Sequence, residues 1–316
     1  MLECFLLFPG QGSQFVGMGK FLFDNFSVSK DVFARVDEAL GRGLSALIFN
    51  GTIEELTLTV NAQPAIMAIS IAAYCALLQE VDIRPQASAG HSLGEYSALV
   101  ASGAISLEEA AVLLDKRGRA IQAAVTENGA MAALLGVSEV SHVEDLCKEV
   151  SGICQIANDN GAGQFVISGT FSSIKEAIDI SKNYGVKKAI MLNVSAPFHC
   201  SMIESAADEM SYHLRKTNFL EPNFRVISNY DLSSHPGGEL TALLLQKQIP
   251  NRVRWRETME ILRSESEKNL NRCMFLELGP GNVLSNIAKR MGCSEVANFS
   301  SMHEFSDIVK NINSEK

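Results

Sequence analysis

Apolar positions in the N-terminal part of the chain fall in short unbroken runs separated by stretches of helical period, the alternation of an α/β fold. Cys4–Phe8 is one such run, and it stops at Pro9-Gly10, which predicts a buried strand entering a turn. Helices are predicted over Asp31–Leu40 and Gln63–Gln79, the second with Pro64 at its first position, where a missing N–H does no harm. Inside it, Ala65–Leu78 is nearly all apolar. A membrane span needs about 20 such residues, so this run is expected in a protein core. Pro85–Gly90 reads as a weak strand of small residues, followed by a turn and then a helix over Gly94–Ala104 with Gly103 near its end.

The pattern changes between Gly129 and Val194. Strand Ala130–Val137, helix Ser138–Val150, strand Cys154–Asn158, a turn over Asp159–Gly163, strand Gln164–Gly169, helix Ser172–Gly185 and strand Lys187–Val194 follow in order. That β-α-β-β-α-β order is the signature of a ferredoxin-like unit. Residues 127–197 are therefore expected to form a small domain inserted into a larger one made of 1–126 and 198–316. In the second part of the larger domain, helices are predicted at Met202–Arg215, Thr241–Gln246 and Arg256–Ser264. Strands are predicted at Phe224–Ser228 and Met274–Leu278, with a turn and helix after Gly279. The polar tail from Asn311 is expected to fray.

Length and composition narrow the class. A chain of 316 residues can bury a large core as one domain, or one with an insertion. Basic residues number 27 against 36 acidic, a net charge of −9, which argues against a nucleic-acid partner but not against a local basic patch. The 7 cysteines form no C-x-x-C pair and no zinc-spaced cluster, so reduced thiols in the cytoplasm and no metal are expected. The opening MLECFLLFPG lacks a basic segment before its short apolar run, so neither a secretory signal nor a membrane partner is expected.

The chemistry centres on Gly90-His91-Ser92-Leu93-Gly94, which fits G-x-S-x-G between a predicted strand and a predicted helix. The glycines allow a tight turn, and the helix N-terminus favours negative charge developing at Ser92. A serine nucleophile needs a base within hydrogen-bond reach. Besides His91, the chain offers His142, His199, His213, His235 and His303. His199 follows a strand, between a Pro-Phe break and a helix, where α/β folds keep catalytic groups. His142 and His213 sit on predicted helices, His235 in the turn SSHPGG and His303 near the C-terminus. The acids between Ser92 and His199 fall mostly on predicted helix surfaces, so a Ser-His pair oriented by a neutral acceptor is expected in place of a triad. The glycine-rich turn FPGQGSQFVGMG fits no phosphate-loop pattern and could supply an oxyanion-hole N–H. Cys200, beside His199, is read as packing. These residues leave open a hydrolase, an acyl transferase, and a non-catalytic docking subunit that keeps the fold.

Together the segments FPGQGSQFVGMG, QPA, GHSLGEYSAL, KRGRAIQ, GAMAALLG, ANDNGAGQFVISG, VSAPFH, QIPNRVRW and ELGPGNVLSNIAKR resemble, in order and over nearly the whole chain, the malonyl-CoA:acyl carrier protein transacylase family. The resemblance implies an α/β-hydrolase-like domain with a ferredoxin-like insertion. It also implies malonyl transfer from a CoA thioester to the phosphopantetheine of acyl carrier protein, with no cofactor; a monomer is the default expectation. It assigns Ser92 as nucleophile, His199 as base, the N–H groups of Gln11 and Leu93 as oxyanion hole, and the Gln248 carbonyl as the group orienting His199. Arg117 would pair with the malonyl carboxylate, which a planar guanidinium grips through two hydrogen bonds. Phe198 resembles the bulky residue that crowds an α-methyl branch in malonyl-selective members. Many members have Pro at the place of Arg252; here Pro falls at 250, which bears on the shape of the Gln248 loop. Because carrier proteins are acidic, Lys187, Lys188, Arg254, Arg256, Lys289 and Arg290 are candidates for a docking patch.

Overall fold

The computed structural model describes residues 1–125, 128–269 and 271–314. Among these, nine strands build two sheets: β1 (Leu2–Phe8), β2 (Ile83–Gly90), β3 (Gly129–Leu135), β4 (Cys154–Gly161), β5 (Gln164–Thr170), β6 (Lys188–Met191), β7 (Arg225–Ile227), β8 (Cys273–Glu277) and β9 (Val296–Asn298). The first sheet has the order β7-β2-β1-β8-β9 and is parallel throughout. The second has the order β4-β5-β3-β6 and is antiparallel, as the β-α-β-β-α-β order requires. The second sheet lies between residues 129 and 191, within the stretch expected to be a small domain. The N-terminal limit of that stretch, residues 126 and 127, lies outside the described residues.

A parallel sheet is covered on both faces, so its strands read as continuous apolar runs. In β1 the alternation still decides which core each side chain enters. Cys4, Leu6 and Phe8 pack into one cluster with the helix Thr59–Glu80, while Phe5 and Leu7 face the other with Trp255 and Met259. The Thr59–Glu80 helix has 22 residues and its apolar window is 83% buried inside the protein, the core placement expected of Ala65–Leu78.

That helix starts earlier than its proline suggested. Pro64 lies inside it, not at its first position, and therefore frees the carbonyl of Val60 from its usual i+4 partner. Arg42 supplies the missing donor, its Nη2 lying 3.0 Å from the Val60 oxygen while it also contacts Asn61 and pairs with Asp115 at 2.9 Å. Near the other end of the chain, the tail expected to fray continues a helix, Met302–Asn313, held by buried Phe305 and Ile312.

In the second sheet, β4 runs on to Gly161, so Asp159 and Asn160 are strand residues and not part of a turn. The hairpin closes on Ala162 and Gly163 alone, at φ 51 and 73, the pair of positive angles a tight two-residue turn needs. The extra length lets β4 reach the large domain. Asp159 N–H donates to the Val253 carbonyl at 3.1 Å, Val253 N–H to Ala157 at 2.8 Å, and Arg256 Nε to Asp159 at 2.9 Å.

Candidate active site

Between β2 and the helix Gly94–Ala101 the chain makes a sharp elbow that holds Ser92 at φ 55, a conformation disfavoured for a residue with a Cβ. Its neighbours permit the turn because they have none. A Cβ on Gly90 would lie 1.8 Å from the Gly94 carbonyl carbon, and one on Gly94 would lie 2.2 Å from the Phe8 oxygen. The strained residue is held at both backbone groups. Ser92 N–H donates to Asn229 Oδ1 at 2.8 Å, and Ser92 C=O accepts from Gln248 Nε2 at 2.8 Å. Such strain persists only where the surroundings over-determine the conformation.

His199 also has a positive φ, 57, and is 4% exposed. Its Nε2 lies 2.8 Å from Ser92 Oγ, and its Nδ1 lies 3.0 Å from the Gln248 carbonyl. A carbonyl only accepts, so Nδ1 carries the hydrogen and Nε2 presents its lone pair to the serine hydroxyl. Burial, and then the charge of Arg117, lowers the imidazole pKa from 6.5 to about 3, which keeps the ring neutral. Pro250 does not disturb this arrangement. Gln248 is the last residue of the helix Gly238–Gln248, which runs two residues past the end expected from sequence and so holds Gln248 in helix, not loop.

Arg117 lies on the helix Leu107–Ala124 and is 1% exposed. Gly118 lets this helix approach the Thr59–Glu80 helix closely; a Cβ there would lie 2.6 Å from Val60 Cα. Arg117 Nη1 then reaches Gln63 Oε1 at 2.8 Å, and Nη2 reaches Gln248 Oε1 at 2.9 Å and Ser92 Oγ at 3.2 Å. The Tyr96 ring lies 5.9 Å from the guanidinium carbon. Among the described residues no carboxylate forms an ion pair with Arg117, and its Nε has no partner. An ionised guanidinium with spare donors in a dry site is a receptor for an anion.

The Leu93 N–H at the start of the Gly94–Ala101 helix and the Gln11 N–H in the turn after β1 donate to no protein acceptor among the described residues. That turn is held against the elbow, with His91 N–H on the Phe8 carbonyl at 2.9 Å. Gln11, Ser92, His199 and half-buried Phe198 line one cleft of about 330 Å³, closed on the far side by Met131, Asn160 and other residues of the second sheet. That volume suits a small ligand.

Of the other histidines, His91 lines the same cleft and the rest lie elsewhere. His142 and His303 are exposed, and His213 is half-buried beside Lys116 at 3.3 Å. His91 Nε2 pairs with Asn160 Oδ1 at 2.9 Å, and burial lowers its pKa. Cys200 is wholly buried with its Sγ on the Pro197 carbonyl at 3.3 Å, turned away from the serine. The six candidate docking residues divide. Arg254 pairs with Glu257 and Arg256 with Asp159 and Glu260, whereas Lys187, Lys188, Lys289 and Arg290 are exposed. Arg290 reaches cleft-lining Gln164 at 3.1 Å.

Sequence reasoning missed four residues behind the site: Gln63, Glu95, Asn229 and His235. Glu95 reads in the sequence as one of the acids on helix surfaces but is 0% exposed, and His235 reads as a turn residue but is 3% exposed. His235 Nε2 lies 2.7 Å from Glu95 Oε1. A lone acid in the otherwise apolar stretch Gly94–Ala101 was the available signal.

Comparison with known proteins matches the acyl transferase domain family model to residues 5–304. The malonyl CoA-acyl carrier protein transacylase of Bacillus subtilis (strain 168) is 42% identical over 296 residues, covering 92% of this chain and 91% of the relative. The crystal structure of an acyl-carrier-protein S-malonyltransferase from Bartonella henselae is 41% identical, with a TM-score of 0.90 and coverage of 99% and 100%. A malonyl-transacylase solved in complex with a holo type II PKS acyl-carrier protein is 36% identical, with a TM-score of 0.92 over 98% of this chain and 99% of that one. Over these lengths and identities, the chain belongs to the acyl transferase domain family, among its malonyl-CoA–acyl carrier protein transacylases.

Proposed function

We propose that this chain moves a malonyl group from malonyl-CoA to the phosphopantetheine thiol of acyl carrier protein through a malonyl ester on Ser92. The observation that carries this reading is Arg117: a buried cation with no carboxylate partner among the described residues, 3.2 Å from Ser92 Oγ. An acyl group ending in a carboxylate would supply the missing anion, whereas acetyl would leave the guanidinium unpaired at a cost of about 3 kcal/mol or more.

In this mechanism His199 Nε2 takes the Ser92 proton as Oγ attacks the thioester carbon. The Leu93 and Gln11 N–H groups receive the oxyanion, and the protonated imidazole returns its proton to the departing CoA sulfur. His199 then deprotonates the carrier thiol, which attacks the ester and regenerates Ser92. Gln248 holds His199 through its carbonyl, and Phe198 narrows the space beside the malonyl α-carbon. These steps draw on the chain's own groups and the two thiols alone, and one copy of the chain supplies every group. We infer a cytoplasmic enzyme that meets its carrier protein there and serves fatty-acid synthesis, and exposed Lys289 and Arg290, the latter on cleft-lining Gln164, suit an acidic carrier.

A donor panel tests the reading. Malonyl-, methylmalonyl- and acetyl-CoA are compared with wild type and Arg117→Ala, following acyl-enzyme formation. Wild type is expected to take malonyl, and the variant to lose about 100-fold or more in malonyl kcat/KM while its acetyl rate holds. An unchanged preference in the variant removes Arg117 from substrate selection.

A further inference from the structure

Behind the Ser92–His199 pair lies a second set of buried polar groups, all converging on one carboxylate. Glu95 Oε1 accepts from His235 Nε2 at 2.7 Å; Glu95 Oε2 accepts from the Asn229 N–H at 2.9 Å and from Gln248 Nε2 at 2.9 Å. Both side chains of the Glu95–His235 pair are 0% exposed. Burying a carboxyl group is costly unless its oxygens are hydrogen-bonded, and here both are.

The bonds made by its neighbours say what the acid does. Asn229 Oδ1 holds the Ser92 N–H, and Asn229 Nδ2 holds the Gly90 carbonyl at 2.8 Å. Gln248 Nε2 holds the Ser92 carbonyl, Gln248 Oε1 faces Arg117 Nη2, and the Gln248 main-chain carbonyl holds His199 Nδ1. The orientation of the Gln248 amide follows from chemistry. On one side it meets two acceptors, Glu95 Oε2 and Ser92 C=O; on the other it meets a guanidinium that can only donate. Turned over, the amide would set oxygen against both acceptors and N–H against N–H. Glu95 thus fixes the two residues that grip the strained Ser92 backbone, and one of these also orients His199 and Arg117. The amide stands between Glu95 and Arg117, so the acid offsets the buried cation without occupying the donors a substrate needs.

We infer that Glu95, backed by His235, is a positioning residue for the acyl-transfer site: it orients Gln248 and Asn229 and through them Ser92, His199 and Arg117. This inference rests on the function proposed above, and its test separates the two. Single-turnover acylation by labelled malonyl-CoA is followed in wild type, Ser92→Ala, Glu95→Gln, Glu95→Ala and His235→Phe, recording both the rate constant and the amplitude per folded molecule. A misplacement of the reacting groups approaching 1 Å costs about 100-fold. Glu95→Ala is therefore expected to lower the rate constant by about that factor, and Glu95→Gln, which keeps the shape and one acceptor oxygen, by about 10-fold. Malonyl preference over acetyl should fall in both, because the Gln248 amide is free to turn. A purely structural role would lower the amplitude and the melting temperature yet leave the rate constant and the preference of the folded molecules at wild-type values; that result overturns the inference. If Glu95→Ala does not fold, Glu95→Gln and His235→Phe decide the matter by the same two readouts. Absence of a Ser92-dependent acyl-enzyme in wild type would instead overturn the function itself.

Discussion

The properties of this site at the scale of single residues come from one buried positive charge. Arg117 lowers the basicity of His199, second only to burial. A malonyl carboxylate on Arg117 would cancel that field, raising the base toward a useful pKa when the correct acyl group is present. Arg117→Met should imitate the cancellation. The acid limb of Ser92 modification by a neutral fluorophosphonate is expected to move to higher pH in the variant, and an unmoved limb would show the Arg117 field to be screened. Stability has its own pH signature. The folded pKa of His199 is depressed from 6.5 to about 3, so on acidification the unfolded chain takes up a proton that the folded chain refuses. Folding free energy should fall as pH drops through that window. His199→Gln should flatten this part of the stability-pH curve; parallel curves for variant and wild type would contradict the assignment.

At the scale of elements, most long segments were readable because their periodicity was strong. Strand β1, the elbow around Ser92 and the order of the second sheet all follow from local patterns. What was not readable depended on partners far away in sequence. Pro64 looks like a helix start because the donor that satisfies Val60, Arg42, comes from another segment. Arg42→Ala should leave that carbonyl unpaired, with Asp115 still held by Arg119 at 2.7 Å, lowering stability by about 1–3 kcal/mol in urea unfolding, with activity of the folded enzyme retained. A shift within a few tenths of a kcal/mol would mean that water replaces the guanidinium. Asp159 and Asn160 read as turn residues because their composition is that of a turn; pairing with Val253, invisible locally, draws them into β4. Glu95 and His235 escaped for the same reason. An acid or a histidine reads as surface until its buried partner is known, and these two lie far apart in the chain.

At the scale of the whole molecule, a parallel sheet presents Ser92 and an antiparallel sheet closes the cleft over it. Ser92, His199, Gln248 and Arg117 were legible together only through the resemblance to a family, since they come from four separate segments. The rim has a testable polarity. Charge reversal of Lys289 and Arg290 is expected to raise the KM for carrier protein several-fold while leaving that for a short thiol acceptor unchanged. Reversal of Arg254, already paired with Glu257, should do less to carrier binding. Equal effects on both acceptors would place the carrier elsewhere.

The central claim is that Ser92 holds malonyl for a thiol and not for water. Its most direct measurement is a chase: the chain is loaded with radiolabelled malonyl-CoA, freed of excess donor, and divided between buffer and holo acyl carrier protein. The account predicts label on Ser92, absent in Ser92→Ala, that persists in buffer and passes to the carrier within a turnover. Release of free malonate at the same rate in both arms would contradict it and identify a hydrolase.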